Sequence, residues 1–342
     1  MKIRARHNSG AMALIMVMCA IFVLSALAAG FALSMKVETR LAQNANSEQQ
    51  MLWLGRSGVE YCRWVLAQEK CPYDSLNQVW AGGSGSECDT NLVVENPVHV
   101  GDGSFTWKII DLERRANVNT ANETMIQQAL TLMDVDANDI SVVSDSILDW
   151  ISPAGPARVA GAESDYYQGL AVPYYAKNAP IDDLSELQLV RGILDHPEIY
   201  WGGDATNHQP AQFQHKLGLG TAPGQSSGNG LSLTNFFTPF SKGTININTA
   251  DTNVLAMILG GDAAMAASIA QQRAGPDGVD GTEDDVPYSS VPSQFGPLCD
   301  VHSYTYEVHI TAQCGNATPR EFIAILARTS ATDIQVLSFY WK

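Results

Sequence analysis

The chain has 342 residues, 36 of them Asp or Glu against 20 Lys or Arg, for a formal net charge of −16 with 45% apolar residues. So much apolar content supplies real cores and excludes wholesale disorder, and the length calls for more than one small domain. So acidic a chain is a poor holder of nucleic acid, whose phosphates are met with Lys and Arg.

Residues 1–10 carry Lys2, Arg4 and Arg6 and end in Asn8-Ser9-Gly10; Ala11 to Leu33 follows, 23 residues without a formal charge. About 20 apolar residues cross a bilayer core. Basic residues on the N-terminal side hold that end in the cytoplasm, so the chain beyond Leu33 faces the other side. A secretory signal has a shorter apolar core with its cleavage site after it. Here the candidate cleavage point, Gly10–Ala11, precedes the core, so the apolar helix stays on the mature chain. Cleavage removes three basic residues and no acidic one, which takes the charge from −16 to −19. A plain N-terminal membrane anchor has the same charge pattern.

The leader resembles the class III leaders of type IV pilins and of the pseudopilins of type II secretion. That resemblance implies cutting by the prepilin peptidase and methylation of the new Ala11 amine. Most such subunits carry a glutamate at the fifth mature position, thought to pair with the amine of the subunit already in the filament. Here that position is Ile15. An ionisable group at that depth is costly unless paired. A subunit without it can receive a neighbour's glutamate at Ala11 but cannot offer its own, which suits a filament tip. Within type II secretion, the large K-type minor pseudopilin lacks this glutamate.

Beyond the membrane Val37, Leu41, Ala45, Leu52, Val59, Cys62 and Leu66 recur at intervals of three, four or seven, on one helical face. No proline intervenes before Pro72, so one helix of roughly 55 residues, about 80 Å, is predicted from Ala11 to Ala67. The spacing is too irregular for the sustained heptads of a coiled-coil stalk. Cys19 lies in the membrane run as a small packed residue. The five cysteines beyond it contain no Cys-x-x-Cys pair, which argues against a zinc or thioredoxin-like site and fits an oxidising compartment. Cys299 and Cys314 flank the alternating run His302 to Ile310 and are expected to form a disulfide. Cys71 and Cys88 bracket a Gly/Ser-rich loop and are expected to form a second, leaving Cys62 over; Cys62–Cys71 is the alternative.

Val98 to Asp111 alternates, and after the Gly101-Asp102-Gly103 turn Phe105, Trp107 and Ile109 read as a strand. Further strands are predicted over Tyr304–Ala312, Glu321–Thr329 and Ile334–Tyr340. A long helix on a small antiparallel sheet is the pilin architecture. Between the first strand and the last three lies an insert with a weak repeat: Ala116-Asn117-Val118-Asn119-Thr120-Ala121 is echoed by Thr244-Ile245-Asn246-Ile247-Asn248-Thr249-Ala250. Helical stretches follow each, Thr124–Met133 and Thr252–Leu259, with Asn119 or Asn248, or the adjacent Thr, as candidate caps. Ile181 to Ile193 reads as a capped helix that ends at Gly192.

These modules resemble the SAM-like or helix-hairpin-helix units inserted into the pilin fold of K-type pseudopilins, as do Asp149-Trp150, Gly161 to Tyr167 and Ala176 to Pro180. The expected fold is therefore α+β. Its organisation is 1–10 leader, 11–34 membrane half of the helix, 35–68 periplasmic half, 69–111 loop and first strand, and 112–208 first helical insert. A linker, 209–243, then leads to 244–298, the second helical unit with an acidic loop, and to 299–342, the C-terminal strands. Competence proteins that bind DNA carry similar Asn-x-Asn-Thr-Ala segments. Here, however, Gly260-Gly261-Asp262 has an Asp and no Lys or Arg follows before Arg273.

Gly275 to Asp285 concentrates Asp277, Asp280, Glu283, Asp284 and Asp285 among glycines. Calcium takes six to eight oxygens in flexible geometry, which such a loop can supply. The EF-hand spacing is absent, and a solvated acidic turn is the plain alternative. The family resemblance implies calcium without assigning its ligands. Glu163, Asp165, Asp182 and Asp183 are more scattered and read as caps and surface. No nucleophile elbow, zinc helix, phosphate loop or dinucleotide fingerprint occurs, and His302 and His309 fall on opposite faces of the predicted strand. The sequence thus points to a non-enzymatic K-type minor pseudopilin of the inner membrane, with a periplasmic ectodomain and I-type and J-type pseudopilins as implied partners. A type IV pilus minor pilin shares the leader.

Overall fold

The computed structural model describes residues 9–85, 88, 92–202, 230–293, 295–315, 317–330 and 332–342. Residues 1–8 of the expected leader lie outside them, as does most of the expected linker.

Helix α1 runs unbroken over Ser9–Ala67. Its first half touches nothing: Met12 through Leu41 is exposed throughout. Its last five turns bury Met51, Leu54, Val59, Cys62, Val65 and Leu66 against a sheet. Of the predicted stripe, Val59, Cys62 and Leu66 are therefore core, whereas Val37 and Leu41 precede the sheet and stay exposed.

The sheet has five antiparallel strands: β1 (Val98–Val100), β2 (Gly103–Asp111), and, far along the chain, β7 (Thr305–Cys314), β8 (Arg320–Arg328) and β9 (Ile334–Trp341), in the order β1-β2-β7-β8-β9. Strand alternation sends Phe105, Trp107 and Ile109 toward α1 beside Tyr306, Val308, Ile310 and, from β8, Phe322, Ala324 and Leu326. This pilin-like lobe has its own core.

The chain between β2 and β7 forms a helical lobe. Its elements are β3 (Ala116–Asn117), α2 (Glu123–Leu132), α3 (Ala137–Ile151), α4 (Ser164–Gln168), a 3₁₀ turn (Leu184–Leu189), α5 (Glu198–Trp201), α6 (Leu233–Phe236), β4 (Phe237–Thr238), β5 (Ile245–Asn246), α7 (Thr252–Ile258), α8 (Ala263–Arg273) and β6 (Cys299–Asp300). Short parallel pairings tie β3 to β4 and β5 to β6. The end of the expected linker is thus structured, since Leu233–Thr238 supplies α6 and a strand. Cys299–Asp300 likewise belongs to the helical lobe, not to the C-terminal strands. One continuous core joins both helix pairs, with Ile126, Leu130, Ile147, Val254 and Leu255 among its most buried members.

Ile181 to Ile193 is not an α-helix. Asp183 and Glu186 form a reciprocal capping box, but on a six-residue 3₁₀ turn. Nor are Asn119 and Asn248 caps. Asn122 caps α2 through the Met125 amide, and Asp251, at the N-cap of α7, makes no capping side-chain bond.

The repeated turns instead share a single knot. The first Asn accepts from the amide of the second, Asn117 from Asn119 at 2.8 Å and Asn246 from Asn248 at 2.9 Å. Each second Asn then grips a distant backbone residue with both ends of its amide: Asn119 holds Ile181 at 2.7 and 3.0 Å, and Asn248 holds Tyr288 at 2.8 and 2.9 Å. Both clasped residues follow a proline, Pro180 and Pro287. Each turn therefore closes its own loop.

Cys71 and Cys88 are joined, their Cα atoms 5.5 Å apart. The expected Cys299–Cys314 pairing is not formed, and both are free. The alternating run between them is one straight strand, not a hairpin, so its length of about 30 Å separates its two ends. Cys314 donates its thiol to Gln50 Oε1 at 2.7 Å, while Cys62 lies sealed between α1 and the sheet, its thiol pushed up by burial.

Candidate assembly surface and acidic loop

The first half of α1 is apolar, exposed and long enough to cross a membrane. Apolar surface on this scale needs lipid or neighbouring helices to cover it. Ile15 is 61% exposed and brings no carboxylate. Ser9, Gly10 and Ala11 lie in the first turns of α1.

At 100° per residue, residues eleven apart on a helix fall within about 20° of each other. Trp53 and Trp64 stand in that relation, on the side of α1 turned away from its sheet, 56% and 44% exposed. Going toward the N-terminus, Ala42, Met35, Phe31 and Leu24 stay within about 40° of the same line. Gln49 and Asn46 fall on it too, so between Ala42 and Trp53 the apolar stripe is broken by amides but by no charge. Arg56 lies over the Trp53 ring at 5.3 Å, and Tyr61 leans on Trp64 at 5.6 Å. The sequence pattern that found the buried face missed this one, although the Trp spacing carries it.

The acidic loop follows α8. Gly275, at φ +67°, has to be glycine: an added Cβ would meet the Asp284 carbonyl oxygen at 2.1 Å. Asp280 is committed to Arg273, which donates Nε and Nη2 to its two oxygens at 2.9 and 2.8 Å and Nη1 to the carbonyls of Ile247 and Ala250. Asp284 accepts from the Asp277 amide at 3.0 Å and from the Thr282 hydroxyl at 2.7 Å. Asp277 takes the Val279 amide, and Asp285 the Gly281 amide at 2.7 Å. Glu283 is exposed. The Thr282 hydroxyl, then the Asp277 amide, hold Asp284 below the usual carboxylate range; burial pushes Asp285 above it. Among the described residues no three His, Cys, Asp or Glu side chains gather as a metal cluster. The second acidic set is dispersed: Asp182 and Glu186 pair with Lys177, Asp183 caps the 3₁₀ turn, and Glu163 occupies the N-cap position of α4. His302 precedes β7 and bonds Asp300, while His309 sits within β7 between Glu307 and Glu321.

A long helix, half apolar and free, half packed on an antiparallel sheet, with a helical lobe inserted between strands, defines a pilin-like fold. A crystal structure of the GspK-GspI-GspJ complex from the enterotoxigenic Escherichia coli type 2 secretion system contains a chain of the same fold, with TM-score 0.59 and 17% identity over 88% of this chain and 99% of that one. Residues 104–199 match the family model of type II secretion system protein K, first domain. The chain is 26% identical over 207 residues to type II secretion system protein K of Aeromonas hydrophila, a match that takes in 55% of this chain and 60% of the length of that relative. In sequence over these stretches, and in fold, the chain is similar to type II secretion system protein K.

Proposed function

We propose that this chain is the minor pseudopilin at the tip of a type II secretion pseudopilus, where it helps begin assembly and protein export across the outer membrane. Its role is structural, not catalytic. In this reading the prepilin peptidase cuts between Gly10 and Ala11 and the Ala11 amine is methylated. The mature chain crosses the inner membrane once, N-terminus cytoplasmic and ectodomain periplasmic, and assembles with I-type and J-type minor pseudopilins. The observation that carries the proposal is α1: a free apolar helix with Ile15 where an ordinary subunit offers its glutamate. Labelled protein is expected once per filament, at an end. Ile15→Glu, which restores the carboxylate, should leave it there, because the helical lobe still obstructs packing in the shaft. Wild-type label found regularly along the shaft would sink the proposal.

We also propose calcium in the acidic loop, with Asp277, Asp284 and Asp285 as carboxylate donors and Asp280 excluded by its Arg273 pairing. What supports this is donor chemistry: oxygen side chains only, on a glycine-hinged turn. The carboxylates now face the loop's own amides and must swing toward a shared centre to bind. A ligand that prefers the folded state stabilises it by about 2.7 kcal/mol at a hundredfold excess over its Kd. Melting of the full chain in detergent should therefore rise with calcium and fall with chelator, and Asp277→Ala with Asp284→Ala should remove most of the shift. Wild-type melting indifferent to calcium would leave a solvated acidic turn.

A further inference from the structure

The two lobes meet at three buried carboxylates, Asp74, Asp111 and Glu113, none more than 2% exposed. Their surroundings differ. Asp74 has a counter-ion: Arg328 donates Nη2 to it, with the Ser303 amide at 2.7 Å and the Tyr306 hydroxyl at 3.3 Å alongside. Glu113 accepts three backbone amides, from Lys242, Tyr304 and Thr305, at 3.0, 3.0 and 2.8 Å. Asp111 has neither arrangement. Its Oδ1 accepts the Glu113 amide at 2.8 Å, and its Oδ2 accepts two hydroxyls, that of Ser303 at 2.6 Å and that of Thr249. Among the described residues no Lys or Arg bonds it.

The groups around Asp111 belong to different parts of the molecule. Asp111 ends β2 of the pilin-like lobe, and Ser303 leads into β7. Thr249 lies in the second Asn-x-Asn-Thr-Ala turn of the helical lobe. Asn246 of that turn donates to the Ser303 hydroxyl at 2.7 Å and to the Asp74 carbonyl at 3.0 Å, so a chain of bonds runs from the helical lobe through Ser303 to Asp111. In the first turn the corresponding Asn117 bonds the Ser241 carbonyl instead. Of the two knots, the second ties the lobes together among the described residues. A cavity of about 200 Å³ lined by Asp74, His302, Tyr304 and Arg328 opens on the Asp74 side of the cluster.

We propose that Asp111 is a proton-operated latch: neutral, its Oδ2 proton given to one of the Ser303 and Thr249 hydroxyls while the other donates to it, it holds the Thr249 turn of the helical lobe against the end of the sheet, and ionised, it loosens that seam. A carboxylate buried without a cation is strongly disfavoured in its charged form. Burial, then the nearby Glu113 charge, pushes Asp111 well above the usual carboxylate range, against the pull of the Ser303 and Thr249 hydroxyls; Asp74 adds to the rise. The folded chain therefore keeps this proton at pH values where the unfolded chain has released it. The stability it lends is complete in acid and is lost as pH climbs from the ordinary aspartate range through the raised folded value.

Hydrogen exchange of the full chain in detergent micelles, corrected for the intrinsic effect of pH, reads the seam directly. Protection over residues 244–251 and 301–304 should fall roughly tenfold for each pKa unit of difference as pH rises. Protection of the β7–β8 pairing should hold. Asp111→Asn, neutral at every pH, should keep the seam protected throughout. A wild-type seam with flat protection, or an Asn variant that loosens in step with wild type, overturns the latch. If Asp111→Asn fails to fold, the wild-type comparison of seam and hairpin decides alone: a fall shared equally by both overturns it.

Discussion

Gly55 and Gly58 set how closely α1 lies on its sheet. A Cβ on Gly55 would meet the Phe322 ring at 2.6 Å, and one on Gly58 the Ile310 side chain at 2.7 Å. In an exposed helix, alanine would be the better residue by about 1 kcal/mol. Here the steric cost wins, because Phe322 is buried and stacked on Phe339 at 5.6 Å and cannot swing aside. Forcing a methyl into a filled interface costs about 1–3 kcal/mol. Gly55→Ala should therefore destabilise the pilin-like lobe, with denaturant unfolding in detergent as the measurement; an unchanged or raised midpoint would show that the helix shifts freely. Local rules also place the Asp183 capping box, which the sequence announces as Asp-x-x-Glu. They cannot place Asp111 and Glu113, whose partners at Ser303 and Thr305 lie some 190 residues away and only meet them once β2 and β7 have paired.

Elements are legible where hydrophobic period and length agree. The apolar run and its stripe locate α1, and alternation locates β2, β7, β8 and β9 within one or two residues. The departures have physical causes. Ile181, Leu184, Leu187, Val190 and Ile193 repeat strictly every third residue, which is the period of a 3₁₀ turn, not of an α-helix. Helix α3 escapes a sequence reading because Ser, Asp and β-branched residues fill it, all weak helix formers. Burial of Val143, Ile147 and Trp150 at i, i+4 and i+7 overrides that weakness. Helix α8 is so rich in alanine that its buried face, Ala266 and Ile269, barely differs from the exposed one. Cys299 and Cys314 flank a run whose alternation is real, but a single strand holds its ends apart.

At the scale of the molecule, the sequence repeat suggests two separate inserts, whereas packing makes them one body. Ile126 and Leu130 of α2 share a core with Val254 and Leu255 of α7, and Phe236 of α6 closes it. The pilin-like lobe has a second core, made by α1 and the sheet. The duplicated knots explain how both facts hold: each turn clasps its own loop, while the apolar faces they present are buried only against each other. The helical lobe should then open as one cooperative unit. Leu130, fully buried, tests this, since Leu→Ala in a core costs about 2–5 kcal/mol. Leu130→Ala should raise hydrogen exchange in α2 and α3 and, to a similar degree, in α7 and α8, with β7 and β8 keeping their protection. Exchange that rises in the first helix pair alone would mean two independent inserts. A rise that also reaches β7 and β8 would mean that the seam at Asp111 couples both lobes into a single folding unit.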